Sequence, residues 1–128
     1  MSDYQYDVDQ FMLAAGQMPL YGTMPQDIEA QAKLYMDLIT EEYNETLEAY
    51  KAGDKVEIAD GLADMVWVIM GMANTIGIPF EDVWREVKSS NMSKCVDGKV
   101  IKNEAGKVMK PDTYFKPDLK KIVYGVHE

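Results

Sequence analysis

Apolar residues recur at helical spacing over roughly the first 90 residues, and this pattern predicts four helices. They are expected at residues 5–16, from after Pro25 to about Ala52, at 55–76, and from Pro79 to within 89–94. Two prolines and a glycine predict a loop at 17–25. The middle of the third helix is apolar on every side, which is typical of a helix packed among others.

The last third of the chain has a different character. Short β-prone pieces at 99–102 and 107–109, with a turn at 103–106 between them, predict a small hairpin. The proline-punctuated segment that follows is predicted to be extended. We therefore expect an all-α bundle of four to five helices with a small C-terminal β-hairpin and extended tail, in a single domain over residues 1–128.

Carboxylates interrupt the apolar faces of the second and third predicted helices. The apolar stripe of the second helix leads onto Glu42 and Glu45, whereas Glu57, Asp60 and Asp64 lie one turn apart on the third. Burying like charges is costly unless a positive charge lies among them. The alternative is a solvated acidic face, but few basic residues stand at the spacings that would form compensating ion pairs.

Oxygen ligands without histidine or cysteine favour a hard cation, Mg²⁺ or Mn²⁺. Several carboxylates around a small volume can hold two or three ions, which lower the pKa of a bound water and stabilise charge on a phosphoryl group. Glu41, as a surplus carboxylate beside them, is a candidate base. The pattern thus predicts a magnesium site for a polyphosphate.

Substrate contacts are expected from other segments of the chain. Lys94 and Asn91 are candidates for phosphate binding, as are Arg85 and the lysines of the predicted hairpin region. Taken alone, Lys94 is better explained as an ordinary helix-terminal lysine, and Asn91 is equally well explained as a cap. Phe11 and Gln17, near the predicted loop, are candidates for contact with a base. Trp67 is expected in the core. Gly61 and Gly71 lower helix propensity in the third helix and let another backbone approach closely.

Composition excludes several classes of function. A net charge of −9 argues against binding to a nucleic-acid polymer, which favours a basic face. The lone Cys95 forms no intramolecular disulfide, and with His127 as the single histidine, Ser–His or Cys–His catalysis is not expected. Without a signal-peptide pattern or an apolar run long enough to span a bilayer, we expect a cytoplasmic protein with no membrane partner.

Several motifs, in order along the chain, resemble one known family. Residues 41–45, E-E-Y-N-E, resemble the E-E-x-x-E motif of the MazG-like nucleotide pyrophosphohydrolases, in the all-α NTP pyrophosphatase superfamily. Residues 56–119 resemble the subgroup similar to phosphoribosyl-ATP pyrophosphohydrolase through D-G-L-A-D, S-N-M-x-K, D-G-K-x-I and G-K-V-x-K-P. The segment F-M-L-A-A-G-Q is similar to the opening helix of that group, so the resemblance covers nearly the whole chain.

The resemblance implies an all-α bundle that forms a homodimer or a dimer of dimers. It also implies Mg²⁺-dependent cleavage between the α- and β-phosphates, which yields a nucleoside monophosphate and pyrophosphate. The family's metal ligands correspond to Glu42 and Glu45, with Glu41 as a ligand or a helper of the base. Asn91 and Lys94 match the family's polar segment near the phosphates.

The family's second motif, E-x-x-D, can be placed on this chain in two ways. Glu57 and Asp60 match the letters, whereas Asp64 matches the position of the aspartate but leaves Gly61 where the glutamate belongs. We favour Asp60 and Asp64 as metal ligands, with Glu57 as an outer ligand.

The motifs do not select a substrate. A (d)NTP is expected, with dGTP or GTP preferred as in some relatives, because a free-standing chain without a cyclohydrolase domain fits control of the nucleotide pool. The alternatives are phosphoribosyl-ATP, in histidine biosynthesis, and a non-catalytic helical module whose acidic face binds a basic partner.

Overall fold

The computed structural model describes residues 3–17 and 25–125, with side chains of α2 described from residue 28 onward. It divides the chain into two compact units, Met1–Phe80 and Glu81–Glu128. The expectation of one domain over the whole chain stays a prediction. The helices are α1 (Asp3–Ala14), α2 (Pro25–Lys51), α3 (Lys55–Ile76), α4 (Phe80–Met92) and α5 (Lys120–Tyr124).

The four predicted helices are confirmed, and α3 has the predicted bounds. α1 begins and ends two residues earlier than predicted, and most of the predicted loop, residues 18–24, lies outside the described part of the chain. The tail differs from the prediction, because α5 forms where an extended segment was expected. Gly125 ends this short helix with a φ of 65°, a left-handed conformation that glycine adopts without strain.

The predicted β-hairpin is wrong. The described residues contain no β-strand, only two isolated bridges, Val96 with Lys99 and Lys102 with Val108. The predicted turn does form, since Asn103 accepts from the backbone N–H of Gly106 at 2.9 Å. A two-stranded ribbon of this length is marginal in water, which explains why pairing stops after single bridges.

Local capping sets the bounds of α3. The side chain of Asp54 accepts a hydrogen bond from the Glu57 amide at 3.1 Å and satisfies a free donor of the first turn. At the other end Gly77 adopts a φ of 72° and donates its N–H to the Ala73 carbonyl. The three residues between α2 and α3 are too few for anything but an antiparallel pair.

The core of the first unit takes side chains from all three of its helices. The buried cluster consists of Val8, Met12, Tyr35, Val68 and Met70. Burying each large apolar side chain contributes about 1.5–3 kcal/mol. This cluster holds α1 and α2 on the C-terminal half of α3.

A polar clamp fixes the start of α1 to the end of α3. The buried side chain of Gln5 donates to the Ile78 carbonyl at 2.8 Å and accepts from the Phe80 amide at 3.3 Å. Asn74, also buried, donates to the Gln5 carbonyl at 3.1 Å. Buried polar groups are tolerated when they are bonded in this way. Sequence reasoning did not single out either residue.

Two glycines let α2 and α3 approach closely, as predicted. A Cβ on Gly61 would overlap the Thr46 hydroxyl and stand 3.0 Å from the Thr46 Cβ and 3.3 Å from its Cα. A Cβ on Gly71 would overlap the ring of Tyr35. Any larger residue at either position must push the helices apart or displace the partner side chain.

The prediction that α3 is surrounded on every side is wrong within one chain. Four large apolar side chains of α3 are exposed: Val56 (76%), Leu62 (52%), Val66 (41%) and Trp67 (39%). Among the described residues, no single helix is long and apolar enough to cross a membrane. One bent pair of helices, Lys55–Ile76 and Phe80–Met92, has the combined length and composition of a membrane span, and nothing else indicates one. The exposed face of α3 is therefore apolar surface that the first unit itself leaves uncovered.

Candidate metal and substrate site

Glu42 occupies a core-facing position of α2. It lies two turns after the buried Tyr35 and one turn before the buried Thr46, and it is itself partly buried. Its Oε2 is inaccessible to solvent and has no hydrogen-bond partner among the described residues. Buried polar atoms are nearly always bonded, so this oxygen calls for a proton or a cation.

Asp64 of α3 belongs to the same electrostatic cluster as Glu42. Burial raises the pKa of Glu42, and repulsion from Glu45, Asp64 and Glu41, together with a hydrogen bond between the Glu42 and Glu45 side chains, raises it further. Burial likewise raises the pKa of Asp64, with additional repulsion from Asp60 and Glu45. These five carboxylates, contributed by α2 and α3, therefore form one coupled group, which we call the acidic cluster.

The acidic cluster lies at the edge of the core rather than within it. Glu42 and Asp64 are partly buried, but Glu41, Glu45 and Asp60 are exposed. The sequence placed Glu45 on the core stripe, and that expectation is wrong. Solvation lowers the cost of packing like charges, which is the physical reason for this arrangement.

Glu57 stands apart from the acidic cluster. Its carboxylate is exposed in the first turn of α3, where the helix dipole favours a negative charge. It is not among the groups that raise the pKa of Glu42 or Asp64. Of the two placements of the second acidic motif, the structure thus groups Asp60 and Asp64 with the carboxylates of α2.

The chemistry of the acidic cluster fits a hard cation. All its donors are carboxylate oxygens, and one of them is unpartnered and out of contact with water. Among the described residues, no three Asp, Glu, His or Cys side chains converge on a single point in the way a metal requires. Mg²⁺ makes few protein contacts and keeps several waters, so a site with one or two direct carboxylates per ion suits it.

An apolar cavity opens between α1 and α3. The Phe11 ring meets the Trp67 ring edge to face, with centroids 5.5 Å apart and planes at 76°. Phe11 is half exposed, as its predicted role requires, and Trp67 is only partly buried rather than a core residue. The cavity, of about 380 Å³, is lined by Tyr4, Asp7, Val8, Leu62, Ala63, Val66, Trp67 and Met70. Sequence reasoning missed it because Trp67 had been assigned to the core.

Gln17 is tied to the core through Tyr35. The Gln17 Oε1 accepts the Tyr35 hydroxyl proton. Burial raises the pKa of Tyr35, and this hydrogen bond partly offsets the rise. The predicted contact of Gln17 with a base stays a prediction, but its side-chain oxygen already has a partner.

Asn91 and Lys94 lie together in the second unit. The Lys94 Nζ donates to the Asn91 Oδ1 at 3.0 Å, one helical turn away. The same ammonium lies 5.8 Å from the centre of the Tyr114 ring. Asn91 therefore orients Lys94 in the structure, and the predicted contact of both residues with phosphates stays a prediction.

A sequence model of the phosphoribosyl-ATP pyrophosphohydrolases matches residues 21–91, more than half of the chain. The chain belongs to this family. The matched residues contain α2, α3 and nearly all of α4, and with them the whole acidic cluster. As a member of this family, within the MazG-like all-α superfamily, the protein is a pyrophosphohydrolase, a hydrolase acting on phosphoric anhydrides. No curated protein matches the chain.

Proposed function

We propose that this pyrophosphohydrolase cleaves nucleoside triphosphates, deoxynucleotides included, between the α- and β-phosphates, with Mg²⁺ or Mn²⁺ as cofactor. The products are a nucleoside monophosphate and pyrophosphate. The observation that carries the proposal is the unpartnered, solvent-inaccessible Oε2 of Glu42 within a cluster of carboxylates from two helices. Family membership supplies the type of reaction.

The acidic cluster would hold the ions. Glu42, Glu45, Asp60 and Asp64 would share two or three of them, with Glu57 as an outer ligand. When bound, the cations supply positive charge that lowers the pKa of a water and offsets charge on the phosphoryl oxygens. Exposed Glu41 precedes Glu42 directly and would accept the proton of the attacking water.

The remaining predicted contacts divide between the ends of the substrate. The half-exposed Phe11 ring, which meets the Trp67 ring edge to face, offers an aromatic surface for a base. Lys94, oriented by Asn91, offers a point charge to a phosphate. A preference for dGTP or GTP follows only from the resemblance, so guanine nucleotides come first in the assay.

A substrate panel tests the reaction. The full chain is incubated with each NTP and dNTP and with Mg²⁺, and the products are separated by ion-exchange chromatography. Monophosphate and pyrophosphate in equal amounts are expected. Release of orthophosphate alone, or no turnover with any nucleotide, contradicts the proposal.

Phosphoribosyl-ATP is the second candidate substrate, because the matching family is described by that activity. It carries the same triphosphate and loses pyrophosphate in the same way, so the acidic cluster serves either substrate. Adding it to the panel and comparing kcat/KM decides between a role in histidine biosynthesis and one in the nucleotide pool.

A non-catalytic acidic module is the third reading, and metal binding separates it from the enzyme. A ligand that binds only the folded state stabilises it by about 2.7 kcal/mol at one hundred times its dissociation constant. We expect Mg²⁺ and Mn²⁺ to raise the melting temperature of the wild type. If the acidic cluster is only a docking face, Mg²⁺ should raise the melting temperature no more than NaCl does at the same ionic strength.

The protein is also proposed to act as a homodimer or homotetramer. The support is the exposed apolar face of α3, where Leu62 and Val66 line an open cavity instead of a closed core. Contiguous apolar surface of this kind marks an interaction site more often than a solvated one.

A further inference from the structure

The dipeptide Asp-Gly occurs twice in the chain, at residues 60–61 and 97–98. In this dipeptide the aspartate carboxyl stands next to a peptide nitrogen that no following side chain shields, since glycine has no Cβ. The carboxyl and the nitrogen can close a five-membered ring wherever the backbone is free to turn. The two copies lie in contrasting surroundings, so the fold decides which of them can react.

Asp97 and Gly98 form the tip of a tight turn in the second unit. Val96 and Lys99 flank them and exchange two backbone hydrogen bonds, of 2.7 and 3.0 Å. Both central residues have a positive φ, 54° at Asp97 and 74° at Gly98, as a two-residue turn of this kind requires. Among the described residues other than glycine, Asp97 alone has this left-handed conformation, which L-residues rarely adopt.

The reacting groups of this turn are accessible. Asp97 and Gly98 are both exposed, and a Cβ built on Gly98 would meet nothing within 4 Å. Among the described residues, the Gly98 amide donates no hydrogen bond, and the Asp97 carboxylate has neither an ion pair nor a hydrogen-bond partner. A turn held by two exposed hydrogen bonds opens at little cost in free energy.

The other copy, Asp60–Gly61, is locked in the interior of α3. The amide of a residue inside a helix donates to the carbonyl four residues earlier, so its nitrogen is not free to attack. Gly61 is also buried, and it packs against Thr46 of α2. Ring closure at this position would turn a peptide plane out of the helix and break the contact between α2 and α3.

We propose that Asp97–Gly98 is a site of spontaneous isoaspartate formation. The Gly98 nitrogen attacks Cγ of the protonated Asp97 carboxyl, and the amide proton leaves with the carboxyl hydroxyl as water, which gives a succinimide. A water molecule then opens the ring at either carbonyl. Opening at Cγ restores aspartate, whereas opening at the main-chain carbonyl leaves the chain linked through the Asp97 side chain.

The reaction releases one water and consumes one, so it needs no enzyme, cofactor or oxidant, and it is independent of the proposed nucleotide hydrolysis. The product carries the Cβ of Asp97 within the main chain, and the former main-chain carboxyl becomes a side group. The lengthened turn no longer places Val96 opposite Lys99, so the bridge between them is lost.

Peptide mapping of the aged protein tests the site. The full chain is incubated in its folded state for several weeks at physiological temperature and then digested with trypsin, which releases residues 95–99 and 56–85 as separate peptides. Electron-transfer fragmentation distinguishes the isoaspartyl linkage from the ordinary one in each peptide. A parallel sample kept in urea supplies the unfolded chain, and Asp97→Glu, which retains the charge but cannot form the five-membered ring, is the matched variant.

In the folded protein, the peptide 95–99 should contain at least roughly tenfold more isoaspartate than the peptide 56–85, because a turn opens locally whereas a core helix opens only with much of the fold. In urea the two peptides should react at similar rates, and Asp97→Glu should leave 95–99 unmodified. Equal amounts in the two peptides of the folded protein, or none in 95–99, overturn the proposal. An excess in 95–99 that persists undiminished in urea also overturns it, because the neighbouring residues and not the turn would then set the rate.

Discussion

Glu42 differs from the other acidic side chains described in α2, from residue 28 onward, in that one of its carboxylate oxygens is shielded from solvent and unpartnered. Glu41 and Glu45 are exposed, so water can solvate their carboxylates. A negative charge on Glu42 is therefore unfavourable in the folded protein, and a bound cation would offset it. The expected consequences are measurable both without metal and during turnover.

The metal-free protein should lose stability as the pH rises. Burial and neighbouring carboxylates raise the pKa of Glu42 above its ordinary value of 4.5, so the folded state holds this proton more tightly than the unfolded chain does. The resulting stabilisation is complete below the ordinary pKa and disappears as the pH rises through the raised one. Glu42→Gln removes this loss, and its unfolding free energy in EDTA should exceed that of the wild type at neutral pH.

Urea unfolding in EDTA between about pH 4 and pH 8 measures this difference. Adding Mg²⁺ should reverse the order at neutral pH, because the wild type gains a ligand that the variant has lost. If the unfolding free energies of the two proteins in EDTA change with pH in parallel, Glu42 behaves as an ordinary surface charge and the prediction is wrong.

Glu45 should be needed for turnover although it is exposed. Its carboxylate raises the pKa of both Glu42 and Asp64, so it lies near the members of the acidic cluster on both helices. Glu45→Gln should lower kcat/KM at least roughly hundredfold, because even outer-shell partners of a metal commonly cost ten- to hundredfold. Steady-state kinetics with the best substrate of the panel measures this.

Glu48→Gln is the matched control for Glu45→Gln. Glu48 is an exposed residue of the same helix, paired on the surface with Lys51 at 3.5 Å. It should retain activity within about twofold, as expected for a surface ion pair. Comparable losses in the two variants would mean that the overall negative charge of α2 matters and the position of Glu45 does not.

At the scale of elements, the close approach of α2 and α3 brings the carboxylates together. Gly61 packs directly against Thr46, and the Thr46 hydroxyl in turn donates to the Glu42 carbonyl at 2.7 Å. Gly61 lies between Asp60 and Asp64 in the sequence. A residue with no side chain therefore lets two acidic segments of different helices approach each other.

Gly61→Ala should separate these segments. Overpacking costs about 1–3 kcal/mol, and the gain in helix propensity offsets about 1 kcal/mol of that cost. We expect a lower melting temperature together with weaker Mg²⁺ binding by calorimetry. Thr46→Ala should restore part of both in the double variant, because it removes the hydroxyl that the new methyl group would overlap.

Gly71→Ala is the control for this experiment. The new methyl group would overlap the Tyr35 ring in the same helix pair, about two turns beyond Asp64. It should lower the melting temperature to a similar degree and leave Mg²⁺ affinity nearly unchanged. If both variants weaken Mg²⁺ binding equally, the effect belongs to general loosening of the helix pair.

At the scale of the whole molecule, the feature to be explained is the apolar surface of α3. Its sequence has the composition of a core helix, yet in one chain Leu62 is 52% exposed and Val66 is 41% exposed. Water contact at such positions forgoes about 25 cal/mol per Å² of apolar surface. A second copy of the chain covering this face would recover that free energy.

Leu62→Glu should therefore lower the molar mass in solution. A charge placed within an apolar interface is strongly unfavourable, so we expect the dimer or tetramer to dissociate at micromolar concentration. Size-exclusion chromatography with light scattering measures the mass. Ile101→Glu, which alters an apolar tail residue with 58% exposure, is the control and should leave the mass unchanged. A wild type that is monomeric at all concentrations refutes the oligomer.

Much of the helical framework could be predicted because its signals are local. The spacing of Tyr35, Glu42 and Thr46 along one stripe, and the Asp54 and Gly77 caps of α3, each act within a few residues of the chain. The tail was predicted less well, because its single bridges and the five-residue helix α5 are too short to produce a periodic pattern in the sequence.

The sequence by itself determined the four main helices, the acidic residue types and the family motifs, since helix periodicity, capping and side-chain chemistry are properties of neighbouring residues. Only the tertiary structure decided which carboxylates face each other. It grouped Asp60 and Asp64 with Glu42, left Glu57 apart, and brought Lys94 and Lys110 within about 6 Å of the Tyr114 ring. The physical reason is that these relations join residues distant in the chain, and burial, repulsion and hydrogen bonding among them exist only once the helices have packed.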